Sequence, residues 1–322
     1  MLTIGKYQAE NNLFLAPMAG VTDQPFRKLC KQFGAGWVVS EMVWSQSHLY
    51  NTKKTLKRIE HSDEPSPKIV QIAGGDPESL AETAHYNVKV GAEIIDINMG
   101  CPAKKVCNKA AGSALMRDEK LVAEILHATV NAVTVPVTLK IRTGWDETQI
   151  NALNIAKIAE DSGIQSIAIH GRTRSQKYTG FAEYDTIAEV KQSLSIPVIA
   201  NGDINTPQDA KTILDYTKAD GLMIGRAAQG RPWIFQQVST YLESGKIISA
   251  PDLTIQRHAI LSHLQSLHQF YGDFMGARIA RKHIGWYLDA QHEDKAIKRG
   301  FNKITESAEQ IKHLENYFTF RI

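Results

Sequence analysis

Along the first 240 or so residues, short runs that are almost wholly apolar return at intervals of roughly 25 to 40 residues. Between them lie longer stretches in which apolar positions recur at helical spacing. The runs predict eight strands: Leu13 to Ala16, Trp37 to Ser40, Ile69 to Ile72, Ile94 to Asn98, Val137 to Ile141, Ile167 to His170, Val198 to Ala200 and Leu222 to Ile224. Runs apolar on both faces belong to a parallel sheet covered by helices. Asp76-Pro77 and Thr206-Pro207 are N-cap and first-turn signals for two of the intervening helices, and Gly91 stands where a helix-ending glycine belongs. Eight such βα units predict a (β/α)8 barrel, whereas the glycine-rich fingerprint of a doubly wound dinucleotide fold does not follow Leu13 to Ala16.

After Gly230-Arg231-Pro232 the rhythm changes. Ile260, Leu264, Leu267 and Tyr271, then Ile304, Ala308, Ile311 and Phe318, recur at helical spacing with no strand-like run between them. Gly, Ser and Pro gather between Ser244 and Pro251, so the expected division is a barrel over 1–243 and a helical domain over 244–322.

Composition narrows the class. At 322 residues, 43% hydrophobic and 22% charged, the chain is an ordinary globular protein rather than a disordered or fibrous one. Its 37 basic against 34 acidic residues leave +3, too little to announce a nucleic-acid partner unless the charge is clustered. Three cysteines, Cys30, Cys101 and Cys107, lack CxxC spacing, which points away from disulfides and zinc and towards a reducing cytoplasmic setting with no metal. The polar segment Met1 to Asn12 and the shortness of the apolar stretch Leu13 to Val21 give no expectation of export or membrane insertion.

A barrel of this kind carries its site at the C-terminal ends of its strands. There the sequence offers Ala16 to Gly20, Gln71, Asn98 to Pro102, Lys140 with Arg142, His170 with Arg172, Asn201-Gly202-Asp203 and Gly225-Arg226. Glycine-bearing turns after strands seven and eight, with Arg226 beside them, suit a phosphate-bearing cofactor, although such glycines also simply ease tight turns. Lys140 sits inside an apolar run, so its ammonium points into the mouth rather than into the core, where it can hold negative charge on a reduced flavin. Gln71 offers a donor and an acceptor to the pyrimidine part of that ring, and Pro17-Met18 can pack against its face. His170 is either a phosphate contact or a hydrogen-bonded strand-end histidine; Arg172 beside it favours the first. Cys101, set between Gly100 and Pro102, is mostly protonated at neutral pH if its pKa is the ordinary ~8.5, and so is competent as a general acid. Lys104 and Lys105 nearby leave a nucleophilic role open. Cys30 reads as core, and Cys107 as structural or incidental.

These segments in this order, including Ala16-Pro17-Met18-Ala19-Gly20 with Thr22-Asp23, Leu139 to Gly144 and Gly225-Arg226-Ala227, resemble the tRNA-dihydrouridine synthases, specifically the bacterial B subfamily, over nearly the whole chain. The resemblance implies an FMN-containing barrel, a C-terminal helical tRNA-binding domain, and NADPH-driven reduction of a D-loop uridine, uridine 17 in the B subfamily. Carried over motif by motif, it implies FMN contacts at Pro17, Met18, Ala19, Gln71, Lys140, His170, Asn201, Gly202, Asp203, Gly225 and Arg226. It also implies hydride transfer from the flavin to C6 of uracil and protonation of C5 by Cys101. Cys107 and Asn108 depart from the relatives' pattern and place a second thiol near the loop.

The tail supplies clustered charge. Lys295, Lys298, Arg299 and Lys303 fall at i, i+3, i+4 and i+8, and Arg278, Arg281 and Lys282 form a second cluster; on a flavin-bearing enzyme both read as RNA contacts of a monomer. Two other readings remain: a small-molecule FMN reductase resembling dihydroorotate dehydrogenase, against which the basic tail counts, and a non-catalytic RNA-binding protein, against which Cys101, Lys140 and Gln71 count.

Overall fold

The computed structural model describes residues 2–45, 57, 63–291, 295–319 and 321. An antiparallel hairpin, β1 (Thr3–Ile4) and β2 (Tyr7–Gln8), precedes a parallel sheet of β3 (Leu13–Leu15), β4 (Trp37–Val38), β5 (Val43–Trp44), β6 (Ile69–Ala73), β7 (Ile94–Met99), β8 (Val137–Arg142), β9 (Ile167–His170), β10 (Val198–Asn201) and β11 (Gly221–Ile224). The first strand pairs with the last, Leu222 opposite Leu13, and each remaining strand pairs with its neighbour in sequence. The second barrel position is split. Trp37–Val38 pairs with β3, Val39 bridges to Ile69, and Val43–Trp44 pairs with β6, so the ring closes through this interrupted strand. The interruption has a local cause: the Ser40 hydroxyl, not a backbone carbonyl, accepts the Gln71 N–H at 3.0 Å.

The strands are buried on both sides, as their apolar runs require. Inside the barrel Phe14 stacks on Trp37 at 5.3 Å, and Leu2 and Ile4 of the hairpin join the same cluster. The hairpin, unforeseen in the sequence pattern because its strands are two residues long, closes the N-terminal end: at Gly5 a side chain would meet Pro136, just ahead of β8. The opposite end is left as the mouth.

Around the barrel run α1 (Gln24–Gln32), α2 (Pro77–Lys89), α4 (Glu119–Ala132), α5 (Ala152–Asp161), α6 (Asp185–Ser193), α7 (Pro207–Thr217) and α8 (Ile234–Ser244); the short α3 (Lys104–Cys107) lies in a strand-end loop. Asp76 and Thr206 cap α2 and α7 as their positions suggest, Thr206 in a reciprocal box with Asp209. Helix α8 packs into the barrel core through Ile234, Phe235 and Val238 and ends at Gly245, in a left-handed conformation (φ +71°). The sequence division at 243 therefore falls within its last turn.

The remaining helices are α9 (Leu253–Tyr271), α10 (Asp273–Ala290), α11 (Lys295–Lys303) and α12 (Ser307–Thr319). Ile260, Leu264, Leu267, Ile284, Leu288, Phe301, Leu314 and Phe318 form their core, which also takes in Leu29 of α1 and Trp233 ahead of α8. Ile304 does not start α12. It lies in the break before it, where its carbonyl accepts from Arg281 (3.1 Å) and Gln310 (3.3 Å). The helices approach the barrel so closely that Gly230 (φ +72°) has no space for a side chain against the Trp286 carbonyl.

Candidate active site

The C-terminal strand ends surround a cavity of about 630 Å³, within the range of small-molecule and cofactor sites. Every cofactor position expected from the sequence, from Pro17, Met18 and Ala19 round to Gly225 and Arg226, lines it, and so does Cys101. Barrel register explains the convergence, because residues opposite one another on adjacent strands share a layer: Asn98 faces Lys140, and Asn201 faces both His170 and Met223.

Lys140 Nζ donates to Asn201 Oδ1 at 3.0 Å, and Asn201 Nδ2 donates to the Met223 carbonyl at 2.7 Å, so the amide is locked with its oxygen towards the ammonium. Burial, then the Arg142 charge, lowers the Lys140 pKa to about 8. Burial and the cations Lys140, Arg142 and Arg172 hold His170 neutral, far below its usual range; Arg172 Nη1 lies 3.3 Å from its Nε2. The Asp203 carboxylate accepts from Arg172 (3.0 and 2.6 Å), the Ala182 N–H (2.8 Å) and Arg226 (3.1 Å). Its side chain thus orients the arginines, while Gly202 (φ +128°), whose carbonyl accepts from the Tyr184 hydroxyl at 3.0 Å, and Gly225 line the cavity at the two turns.

Cys101 is half-buried, its backbone N–H held by Asn98 Oδ1 at 3.0 Å. Burial raises the thiol pKa against the opposing Ala103 N–H, and the cations that oppose it are Arg142 and Lys140 rather than Lys104 or Lys105. The thiol therefore stays protonated at neutral pH, which favours an acid over a nucleophile. Cys107, in α3, points its thiol at the Cys101 carbonyl (3.7 Å) and Ser113 Oγ (3.6 Å); Cys30 is buried, its pKa pushed well up by burial.

Several lining residues had no signal in the strand pattern. Tyr178 comes from the loop after β9, its ring 5.5 Å from the Arg142 guanidinium and 5.0 Å from that of Arg226. Met42 comes from the interrupted second strand, and Asn205 and Gln229 from loops after β10 and β11. At the junction of barrel and helices, Asp23, His263 and His283 come together, buried, with their potential ligand atoms within 4.8 Å of one another. Both Asp23 oxygens already accept hydrogen bonds, from the Phe26 N–H and the Tyr271 hydroxyl (each 3.1 Å). Burial lifts the Asp23 pKa to about 7.

The cations of the tail divide. Lys298 is paired with Asp289 at 2.5 Å, Arg281 donates to the Ile304 carbonyl, and Lys282 donates to the Gly20 carbonyl in the first strand-end loop. Lys295, Arg299, Lys303 and Arg278 are exposed, the last over the Phe274 ring at 5.5 Å. Lys298 thus faces α10 rather than sharing an open face with its three neighbours.

Residues 14–321 match the model of the dihydrouridine synthases. The chain belongs to the dihydrouridine synthase family. Membership makes it an oxidoreductase. Among its relatives, a tRNA-dihydrouridine synthase B of Pseudomonas putida is 59% identical over 318 residues, covering 99% of this chain and 94% of that protein. The protein of the same name from Vibrio cholerae is 54% identical over 317 residues, covering 98% of each. The barrel itself is shared more widely: an old yellow enzyme homologue of Zymomonas mobilis superposes with a TM-score of 0.53 at 13% identity, over 77% of this chain and 93% of that one. A 2-naphthoyl-CoA reductase gives 0.56 at 13% identity, over 74% and 51%. Among the described residues, no helix is long and apolar enough to cross a membrane.

Proposed function

We propose that this member of the family reduces uridine to 5,6-dihydrouridine in the D-loop of tRNA, at uridine 17, with FMN as resident cofactor and NADPH as reductant. The observation that carries the reading is the arrival at one cavity of a hydrogen-bonding amide (Gln71), a cation (Lys140), two glycine turns (Gly202 and Gly225) and a protonated thiol (Cys101).

The residues fit a flavin. Gln71 uses one N–H and one lone pair on protein partners (Asp96, 2.7 Å; Asn98, 2.8 Å), which leaves one of each for a ligand. Gly202 and Gly225, with Arg226 beside them, form the phosphate end, and Pro17, Met18 and Ala19 form an apolar wall. Bound there and reduced, FMN supplies the hydride that saturates C6 of uracil. Lys140 stabilises negative charge at the cavity floor, Asn201 holds that ammonium in place, and Cys101 delivers a proton to C5. A base must leave its stack to enter the mouth, at a cost of a few kcal/mol that is smaller in a loop than in a duplex. The exposed cations Arg278, Lys295, Arg299 and Lys303 supply phosphate contacts for the surrounding tRNA.

Cells lacking the protein should carry tRNA with uridine in place of one D-loop dihydrouridine, and the purified protein with NADPH should restore it. Purified protein that takes up no FMN, or that oxidises NADPH without ever modifying tRNA, overturns the reading; the second result moves the small-molecule reductase ahead.

A further inference from the structure

Beneath the cavity floor lies a buried carboxylate to which the mechanism above gives no role. Asp96 of β7 stands in register with Gln71 on one side and Thr138 on the other, so the three side chains share one barrel layer. It is 4% exposed. Its Oδ1 accepts from the Thr138 hydroxyl and its Oδ2 from Gln71 Nε2, both at 2.7 Å. Gln71 Oε1 in turn accepts from Asn98 Nδ2 at 2.8 Å, and Asn98 Oδ1 accepts the backbone N–H groups of Gly100 (3.2 Å) and Cys101 (3.0 Å).

The direction of this chain is pinned at both ends. Backbone N–H groups only donate, so Asn98 must turn its oxygen to Gly100 and Cys101 and its NH2 to Gln71. Burial pushes the Asp96 pKa up, while the bonds from Gln71 and Thr138 and the Lys140 charge hold it down; as a carboxylate it only accepts, so Gln71 must turn its NH2 to it. A flipped Gln71 amide would set its oxygen against the carboxylate and its NH2 against that of Asn98, leaving buried groups unsatisfied on both sides. Without the carboxylate, only the Asn98 end still selects the orientation.

We infer that Asp96 is a positioning residue: it fixes which way round the Gln71 amide faces the cavity and, through Asn98, steadies the backbone that carries Cys101. One buried carboxyl group thereby orients both the group offered to the flavin ring and the proton donor. The inference rests on the flavin reading of the cavity, and the two are separable. Wild-type protein that takes up no FMN refutes that reading, whereas wild-type protein that binds FMN beside an unaffected variant refutes only the role of Asp96.

The test is FMN affinity, followed by flavin fluorescence in the full chain after removal and return of the cofactor, together with the flavin visible spectrum. Asp96→Leu keeps the approximate volume but removes both acceptor oxygens, so Gln71 Nε2 loses its partner and the amide is held only at its Asn98 end, whereas in Asp96→Asn the new NH2 can turn to the Thr138 hydroxyl and leave Gln71 as it is. The expected result for Asp96→Leu is ~10-fold weaker FMN binding and an altered spectrum. Thr138→Val removes only the bond on the far oxygen and should stay within ~2-fold of wild type. In Asp96→Leu/Gln71→Met, affinity should equal that of Gln71→Met alone, because Asp96 acts through that amide. Asn98→Asp probes the other end, and remains usable if Asp96→Leu does not fold: its carboxylate still accepts from Gly100 and Cys101 but opposes Gln71 Oε1, so FMN binding should again weaken. Unchanged affinity and spectrum in Asp96→Leu, or in Asn98→Asp, overturns the inference. Additive losses in the double variant do so as well.

Discussion

At the barrel mouth Lys140 meets Asn201 at 3.0 Å, and Gln71, Asn98 and Cys101 are joined by hydrogen bonds; on α11, Lys298 turns away from its three neighbours to pair with Asp289. Both regions were picked out by residue type and spacing. They differ in what fixes the neighbours of each side chain. In a closed parallel sheet the ladder sets which residues share a layer, so a polar residue at a strand end has one place to go. On a surface helix, spacing sets only the direction of departure, and the facing helix decides whether a cation meets solvent or a carboxylate.

The largest effect that tests this contrast lies at the mouth. Cys101→Ala should lower uridine reduction by ~10²-fold or more, the scale of a missing general acid, while FMN content and reduction by NADPH are retained. Cys107→Ala, whose thiol faces the Cys101 carbonyl and Ser113, should be near neutral. Equal losses would show that the proton donor has been assigned to the wrong thiol.

Next is Lys140, whose pKa burial lowers to about 8. Its charge disappears as pH rises through that value, so apoprotein affinity for FMN should fall from pH 7 to 9; FMN binding favours the charged form and shifts the midpoint upward in the complex. Lys140→Met should bind FMN more weakly and without that pH dependence. A pH-dependent affinity that persists in the variant would place the titrating group elsewhere.

On the helices, Lys295→Ala, Arg299→Ala and Lys303→Ala should each flatten the plot of log K for tRNA against log[salt], by somewhat under one unit for every phosphate left without its cation. Lys298→Ala should leave that slope unchanged and affect only thermal stability, by less than about 1 kcal/mol for a half-exposed pair. If Lys298→Ala flattened the slope as much as Arg299→Ala, the pairing with Asp289 would not persist in the complex.

At the junction the effect is read on stability rather than on activity or tRNA binding. Asp23 has a folded pKa raised to about 7 from 3.8, so between these values the native protein binds a proton that the unfolded chain has released. Stability should therefore decline as pH rises from about 4 to 7. Asp23→Asn should remove that portion of the slope; an unaltered profile would assign it to another group.

The same contrast explains what was legible beforehand. The eight strand positions and the strand-end residues that line the mouth, such as Pro17, Gln71, Lys140, Asn201 and Arg226, are readable because apolar runs mark strands and the residues at and after their ends mark the mouth. Tyr178 is not, since its loop has no period, and neither are Asp96 and Thr138, which within apolar runs carry no sign of whether they face a helix or the barrel interior. Asp23, His263 and His283 are separated by up to 260 residues, and only the packing of α9 on α1 and of α10 on α9 brings them together. The hairpin escaped because two-residue strands show no alternation.

The central claim, that the mouth holds a flavin and that Cys101 is the acid acting on tRNA uridine, is tested most directly by single turnover. Protein carrying FMN already reduced by NADPH is mixed with tRNA lacking the modification, and flavin reoxidation is followed without oxygen. The account predicts that wild-type protein reoxidises with formation of one dihydrouridine per flavin, and that Cys101→Ala does so ~10²-fold more slowly from an equally reduced flavin. Reoxidation of Cys101→Ala at the wild-type rate, or reduced wild-type flavin that tRNA leaves untouched, would contradict it.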